Sequence, residues 1–326
     1  MTVTLIWRTD VHLSDHTPRS RKDVWTDTVL SKLEQVGEIA KEKGALAVID
    51  GGDFFDIKSP TRNSHSLVRR VMELHRSYPC PIYANVGNHD CVYGDYSYLP
   101  QQPLGVLFGS GVFQRCYDEH EVVFTDPQSP MTVRVVGVPY HGTTYDMSRF
   151  ARIRKGSEDY LVVIAHVLAS PSGGALFDSE DVIKYNDLDQ FEGDVFCFGH
   201  WHKDQGITRT PKGKTVINTG SMTRGSLAQD DLSRVPAVVS LQFDLVSGFS
   251  CQKVPLRHAP SSEVFDLEAR DLKDLREGMI EEFVDNLKTI LSKGSERSVR
   301  DAIRDLPGVP VQVREQALLY VEKAGG

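Results

Sequence analysis

The chain has 326 residues, 40% hydrophobic and 25% charged, an ordinary globular make-up that excludes a disordered or fibrous protein. Its net charge of −8 excludes passive coating of nucleic acid through an overall basic field, but not an enzyme that attracts phosphate through bound metal ions. Five scattered cysteines without a C-x-x-C give no disulfide framework, and no apolar stretch is long enough for a signal h-region or a membrane span, so a reduced, cytoplasmic setting without membrane contact is expected.

Residues 3–7 read as a first strand that ends at Asp10-Val11-His12, and a polar loop with Arg19, Arg21 and Lys22 follows. From Val24 to Lys43 the apolar residues Val29, Leu33, Val36 and Ala40 recur at helical spacing, and Gly44 stops that helix. Ala45 to Ile49 is the next strand, running into Gly51-Gly52-Asp53-Phe54-Phe55-Asp56. Ser64 is placed to cap a helix with Leu67, Val71 and Leu74 on one face, closed by Pro79 and Pro81. The apolar run 82–86 then leads to Gly87-Asn88-His89-Asp90. This alternation predicts parallel strands with crossover helices, whose ligands sit beyond the carboxyl ends of the strands.

The second half is richer in strands: Val133 to Val138, Leu161 to Ala165, Val195 to Phe198, Thr215 to Ile217 and Val238 to Phe243. His166 follows one of them, and Gly199-His200-Trp201-His202 another. Alternating residues at a strand end share a side, so both imidazoles of that motif are expected to meet one site. The strand pattern breaks near Pro255 to Ser262. Beyond it, Leu272, Leu275, Met279, Phe283, Leu287 and Ile290 form a helical stripe, and a second helical pattern covers Val311 to Ala324. The expected division is a domain of residues 1–258 and a short helical region of residues 259–326.

Five strand ends therefore deliver Asp10, His12, Asp53, Asn88, His166, His200 and His202. A polar turn would explain any one of them, and a hydrogen-bonded imidazole any single His. Taken together they offer carboxylate, imidazole and amide oxygen without thiolate, a set suited to Mn, Fe or Zn. Seven ligands exceed one ion but suit two that share a carboxylate, the usual clamp for phosphoryl chemistry.

These motifs, in this order, resemble the calcineurin-like metallophosphoesterases. The resemblance implies a mixed α/β fold, a β-sandwich flanked by helices, here with a small C-terminal helical appendage. It implies one ion held by Asp10, His12, Asp53 and His202 and another held by Asp53, Asn88, His166 and His200. His89 would protonate the leaving oxygen, and Asp90 would orient it. Gly52-Asp53-Phe54-Phe55-Asp56 followed by Pro60, and Gly220-Ser221-Met222-Thr223-Arg224, are similar to the SbcD-type repair nucleases, although only a short region follows the phosphoesterase part. That likeness implies DNA phosphodiester hydrolysis with Mn2+ (Mg2+, Fe2+ or Zn2+ as alternatives). The partners it implies are DNA, an SbcC-type coiled-coil ATPase and a second copy of the chain, in a nucleoid-associated or phage-encoded setting. Arg19, Arg21, Lys22 and Arg224 would then hold flanking phosphates, and the C-terminal helices would dock the ATPase. Two other functions stand beside this one: a phosphodiesterase for a small substrate such as a cyclic nucleotide, and a scaffold that kept the fold without the activity.

Overall fold

A computed structural model of the chain describes residues 2–56, 63–91, 95–125, 130–174 and 179–268, and a few positions between 303 and 318. The chain divides into two compact units, Met1–Phe265 and Asp266–Gly326. The stripe from Leu272 to Ile290 lies outside the described residues, as do Pro60 and most of the pattern from Val311 to Ala324.

Two six-stranded mixed sheets make up the first unit. In one, β1 (Thr2–Arg8), β2 (Ala47–Asp50), β3 (Ile82–Ala84) and β4 (Gln114–Arg115) lie side by side in parallel. The hairpin of β13 (Ala237–Asp244) and β14 (Gly248–Pro255) pairs antiparallel with the free side of β1. In the other sheet, β6 (Thr132–Val138), β7 (Tyr160–His166), β10 (Val195–Gly199) and β12 (Thr215–Asn218) are parallel neighbours. Antiparallel edges are added by β5 (Val122–Thr125) beside β6 and β11 (Gly206–Arg209) beside β12. A short parallel pair, β8 (Ala169–Ser170) and β9 (Ile183–Lys184), stands apart.

The central strands are apolar on both faces because each sheet is covered on both sides. Val3, Leu5 and Trp7 of β1 enter the core between the sheets with Val162, Ile164, Cys197, Val239 and Leu241. The intervening Ile6 faces the other way. There it meets Val29, Leu33 and Val36 of helix α1 (Trp25–Glu42) and Leu67 and Val71 of helix α2 (His65–Arg76). On the outer face of the second sheet, Leu161, Val163, Phe196 and Phe198 pack on Tyr145, Phe150, Tyr185 and Leu188. Burying each such side chain contributes about 1.5–3 kcal/mol, so a one-residue slip of register would reverse both faces at large cost. The expected cap of α2 is present: Ser64 Oγ accepts the N–H of Leu67 at 3.0 Å. Strands β11 and β14 have no buried residue and mix polar with apolar side chains, so no apolar run marks them in the sequence.

The first unit runs past the expected end at residue 258. Phe265 is fully buried, Lys22 N–H donates to Val264 O at 2.9 Å, and the backbone of Arg21 bridges that of Phe265. The Pro/Ser break looks like a linker in sequence, but the chain folds back onto the loop after β1 before it leaves.

Register brings the functional strand ends level. Arg8 pairs with Asp50 across β1 and β2, Asp50 with Ala84 across β2 and β3, and His166 with Gly199 across β7 and β10. Each of these strands ends at one rim of the sandwich, where His166 Nδ1 donates across the sheets to Gly51 O at 3.0 Å.

Candidate metal centre

The turns after these strands are tight. Asp10, His12, Asp53 and His200 adopt positive φ of 53°, 48°, 53° and 85°, a left-handed backbone that non-glycine residues rarely adopt and that costs about 1–3 kcal/mol each. The turns are held from beneath. Arg8, itself buried, donates from Nε to the buried carboxylate of Asp50 at 2.7 Å, and Asp50 Oδ1 accepts the N–H of Gly52 at 3.1 Å. Gly87 is required by close approach, since a Cβ there would lie 2.0 Å from Asp53 Oδ1. Gly52 combines φ 103° with a Cβ position 2.6 Å from Gly87 N. The two glycines let the Gly-Asp and Gly-Asn turns touch.

The side chains gather in two groups that share Asp53, each with its ligand atoms within 4.8 Å of one another: Asp10, His12, Asp53 and His202 in one, Asp53, His166 and His200 in the other. In the first, His12 Nε2 and His202 Nε2 face each other at 2.9 Å, with Asp10 Oδ1 3.9 and 3.7 Å from them. In the second, His166 Nε2 lies 3.2 Å from Asp53 Oδ2 and 3.3 Å from Asn88 Oδ1. His200 and His202 do not alternate as on a strand. Strand β10 ends at Gly199, and the left-handed turn at His200 parts the rings, His200 to 5.1 Å from His166 and His202 to 4.5 Å from His12.

Several observations fit these residues to a pair of divalent ions. Asp53 Oδ1 accepts the N–H of His89 at 2.8 Å, while Oδ2, the oxygen between the two groups, is buried with no hydrogen-bond partner. Nδ1 of His166 is spent on Gly51 O, which leaves Nε2 as the nitrogen that faces the centre. Asp10 is oriented by the hydroxyl of Thr9 at 2.7 Å and the N–H of His200 at 3.0 Å. The donors are oxygen and nitrogen throughout, which suits Mn, Fe or Zn. Burial opposes charge here, but the His166 imidazole and its neighbours outweigh it and hold Asp53 well below the usual carboxylate range. Burial likewise opposes a proton on His166, yet Asp53 pushes it up to about 10. The carboxylates therefore favour positive charge at His166, whereas burial and the neighbouring His12 push His202 down to about 4.

His89 borders the first group, its ring 4.8 Å from that of His12, and its side chain is 38% exposed. Its partner differs from the expected one. Nδ1 of His89 donates to the main-chain O of Asp56 at 2.7 Å, and the Asp56 carboxylate lies 3.8 Å from it and 3.3 Å from His12 Nδ1. Asp90, expected to orient the His89 ring, makes its hydrogen bonds elsewhere. Its buried carboxylate accepts the N–H groups of Asp53 at 2.7 Å, Phe54 at 3.1 Å and Gly87 at 3.0 Å, and so ties the two turns together. Asp56 was within reach of sequence reasoning, since it closes the Gly52–Asp56 motif. Glu180 was not. It is an isolated acid in a loop, yet its Oε1 lies 2.9 Å from His200 Nε2.

Two of the four expected phosphate-holding cations are not free. Arg21 is buried, paired with Asp23 at 2.6 Å, and donates from Nη1 to Arg224 O at 2.8 Å. Arg224 is buried too and donates to Ser261 Oγ and Ala259 O. Both guanidinium groups stack against Phe265, at 4.9 and 5.7 Å. They fasten the end of the first unit instead of meeting solvent, because the apolar contact at Phe265 brings both inside. Arg19 and Lys22 are exposed.

Residues 7–204 match the model of the calcineurin-like phosphoesterase family. No curated protein matches the chain. Among solved structures it is similar to the calcineurin-like phosphoesterase YfkN from Bacillus subtilis, at 14% identity and a TM-score of 0.48, over 98% of this chain and 99% of that one. It is also similar to a dimetal phosphatase from Danio rerio, at 13% identity and a TM-score of 0.48, over 78% of this chain and 99% of the other.

Proposed function

Because the chain belongs to the calcineurin-like phosphoesterase family, and is by that a metal-dependent hydrolase of the dimetal type, we propose that it cuts the phosphodiester bonds of DNA, as an SbcD-like nuclease would. Asp10, His12, Asp53 and His202 would hold one ion, and Asp53, Asn88, His166 and His200 the other. Bound there, the ions would supply Lewis-acid neutralisation of the phosphoryl oxygens. The chain's own residues do the rest. Asp10 and Asp53 are fixed before any substrate arrives, by the Thr9 hydroxyl and by backbone N–H groups. His89 carries the proton: with Nδ1–H held by the Asp56 carbonyl, Nε2–H is free to pass to the departing sugar oxygen. The Asp56 carboxylate lies 3.8 Å from Nδ1 on the far side of the ring from this transfer. A cavity of about 280 Å3 opens against His12, His89 and His202, so the acid and the first ligand group share one mouth.

The observation that carries the DNA reading is a second cavity, of about 920 Å3, lined by five arginines, Arg115, Arg134, Arg149, Arg152 and Arg154, beside Asp118, Glu119 and Glu121. It runs along Val136 to Val138 of β6, and Val138 pairs with Ala165, the residue before His166. At one end Tyr96 donates to the carbonyl of Tyr140, whose ring is 5.4 Å from that of His200. Arg134, Arg149 and Arg154 are paired with carboxylates. Arg115 and Arg152 are exposed, with no carboxylate in ion-pair range among the described residues, and so are available to flanking phosphates.

Two measurements test this. The Mn-loaded protein is assayed on end-labelled single- and double-stranded DNA beside a cyclic nucleotide; turnover of the cyclic nucleotide alone would overturn the proposal in favour of a small-substrate enzyme. The double variant Arg115→Ala/Arg152→Ala should bind single-stranded DNA more weakly, with a salt slope shallower by about 0.7 per lost contact. Its hydrolysis of a small activated phosphodiester should stay at the parental rate. The proposal extends to an SbcC-type ATPase that docks on residues beyond Phe265.

A further inference from the structure

We infer that Glu180, clamped by Tyr145, is the positioning residue that makes His200 a metal ligand through Nδ1, and so sets the affinity of the ion shared with His166. His200 stands on a left-handed turn (φ 85°) with no strand to hold its ring. Its Nε2 lies 2.9 Å from Glu180 Oε1, and both side chains are about nine-tenths buried, at 11% and 8% exposure. A carboxylate can only accept, so Nε2 carries the hydrogen and Nδ1 keeps the lone pair for the centre.

The clamp is built from three directions. Tyr145 Oη donates to Glu180 Oε1 at 2.8 Å and accepts the N–H of Leu168 at 2.8 Å, two residues after His166. Next to Glu180, the Asp181 carboxylate accepts the N–H of Tyr145 at 2.9 Å, and Asp181 N–H donates to Thr143 O at 2.9 Å. Glu180 is thus held to the stretch that follows the His166 strand. A shift of that stretch would move His166 and the partner of His200 together. On the other side of the pair His12 has its own carboxylate, Asp56, 3.3 Å from its Nδ1. The arrangement is therefore specific to one ion of the pair.

The inference does not depend on which phosphodiester is cut. Its test is a titration of the ion-stripped full chain with Mn2+ by calorimetry and with Co2+ by visible absorption, for the parent and the Glu180→Ala, Glu180→Gln and Tyr145→Phe variants. Two binding steps are expected in the parent. In Glu180→Ala one step should weaken by 10–100-fold and its Co2+ bands should shift, with the other step unchanged. Glu180→Gln, which keeps an acceptor for Nε2–H, should recover part of the loss, and Tyr145→Phe should show a smaller loss in the same step. Unchanged affinities in all three variants would overturn the inference, and so would equal weakening of both steps, the mark of a general loosening. A parent with a single step would instead overturn the two-ion reading on which the inference is built. Should Glu180→Ala fail to fold, the other two variants decide.

Discussion

Nδ1 of His89 is taken by the carbonyl of Asp56, so Nε2 is the one nitrogen that can act on a substrate. A positioned acid of this kind contributes about 10²–10⁴-fold to the rate. In His89→Ala, turnover should fall by that range, while the Mn2+ titration and the melting curve stay near those of the parent. Asp90, one residue on, should behave differently. Its carboxylate receives N–H groups from both the Asp53 and the Gly87 turns, and bonds to a charged acceptor contribute about 1.5–3 kcal/mol each. Asp90→Ala should lower stability by at least about 3 kcal/mol and weaken metal binding, because the two turns would separate. Denaturant unfolding with a parallel Mn2+ titration distinguishes the pair of variants. A stable, metal-loaded but slow Asp90→Ala would restore Asp90 as the orienter of His89.

The junction of α2 with β1 and β2 brings together Arg8, Asp50, His75 and Tyr78. His75 is buried, donates from Nδ1 to Val71 O at 2.8 Å, and accepts from Arg8 Nη1 at 3.2 Å through Nε2. Burial, reinforced by the Arg8 guanidinium, holds its pKa well below the usual range. Above about pH 6.5 the imidazole is neutral in both folded and unfolded chains. Below that value the unfolded chain takes up a proton that the folded chain refuses. Stability is therefore lost as pH falls, by up to about 1.4 kcal/mol per pH unit, until the folded pKa is reached. Melting temperatures between pH 7 and 5 should drop less steeply for His75→Gln than for the parent. Parallel curves would mean that His75 contributes nothing to the acid limb. The same junction supports the metal centre, since Asp50 also holds the N–H of Gly52.

For the molecule as a whole, the place where the first unit ends decides what can be removed. Phe265 is fully buried under Arg21 and Arg224. A chain of residues 1–268 should fold, melt as one unit and bind two ions. A chain of residues 1–258 lacks Phe265 and the Ser261 and Ala259 acceptors of Arg224, and should be less stable by at least about 3–5 kcal/mol, the scale of a lost buried aromatic. If the proposed ATPase partner binds beyond Phe265, the 1–268 chain should lose it while keeping hydrolysis, as co-purification would register. Equal melting of the two shortened chains would show that residues 259–265 add nothing to the first unit. Among the described residues, no helix is long and apolar enough to cross a membrane.

The candidate ligands that the fold gathers, and the strands that carry them, were legible in the sequence for one reason. A strand buried on both faces is a short apolar run, so Asp10, His12, Asp53, Asn88 and His166 show as polar residues at its end. The cap at Ser64 was legible because capping is local. What the tertiary structure decided were contacts between stretches far apart in the chain. Asp90 and Asp56 both lie near His89, and only the folded backbone shows that one takes N–H groups from the Asp53 turn while the other holds the ring. Arg21 and Arg224 look like surface cations until Phe265 packs beneath them. The left-handed turn at His200 overrides the strand alternation that would have aimed its ring with that of His202. Glu180 belongs to no motif at all, and its meaning rests on the 2.9 Å that separates it from His200. Periodicity records which face a residue is on; the partner it meets there is set by packing between elements that the sequence does not place side by side.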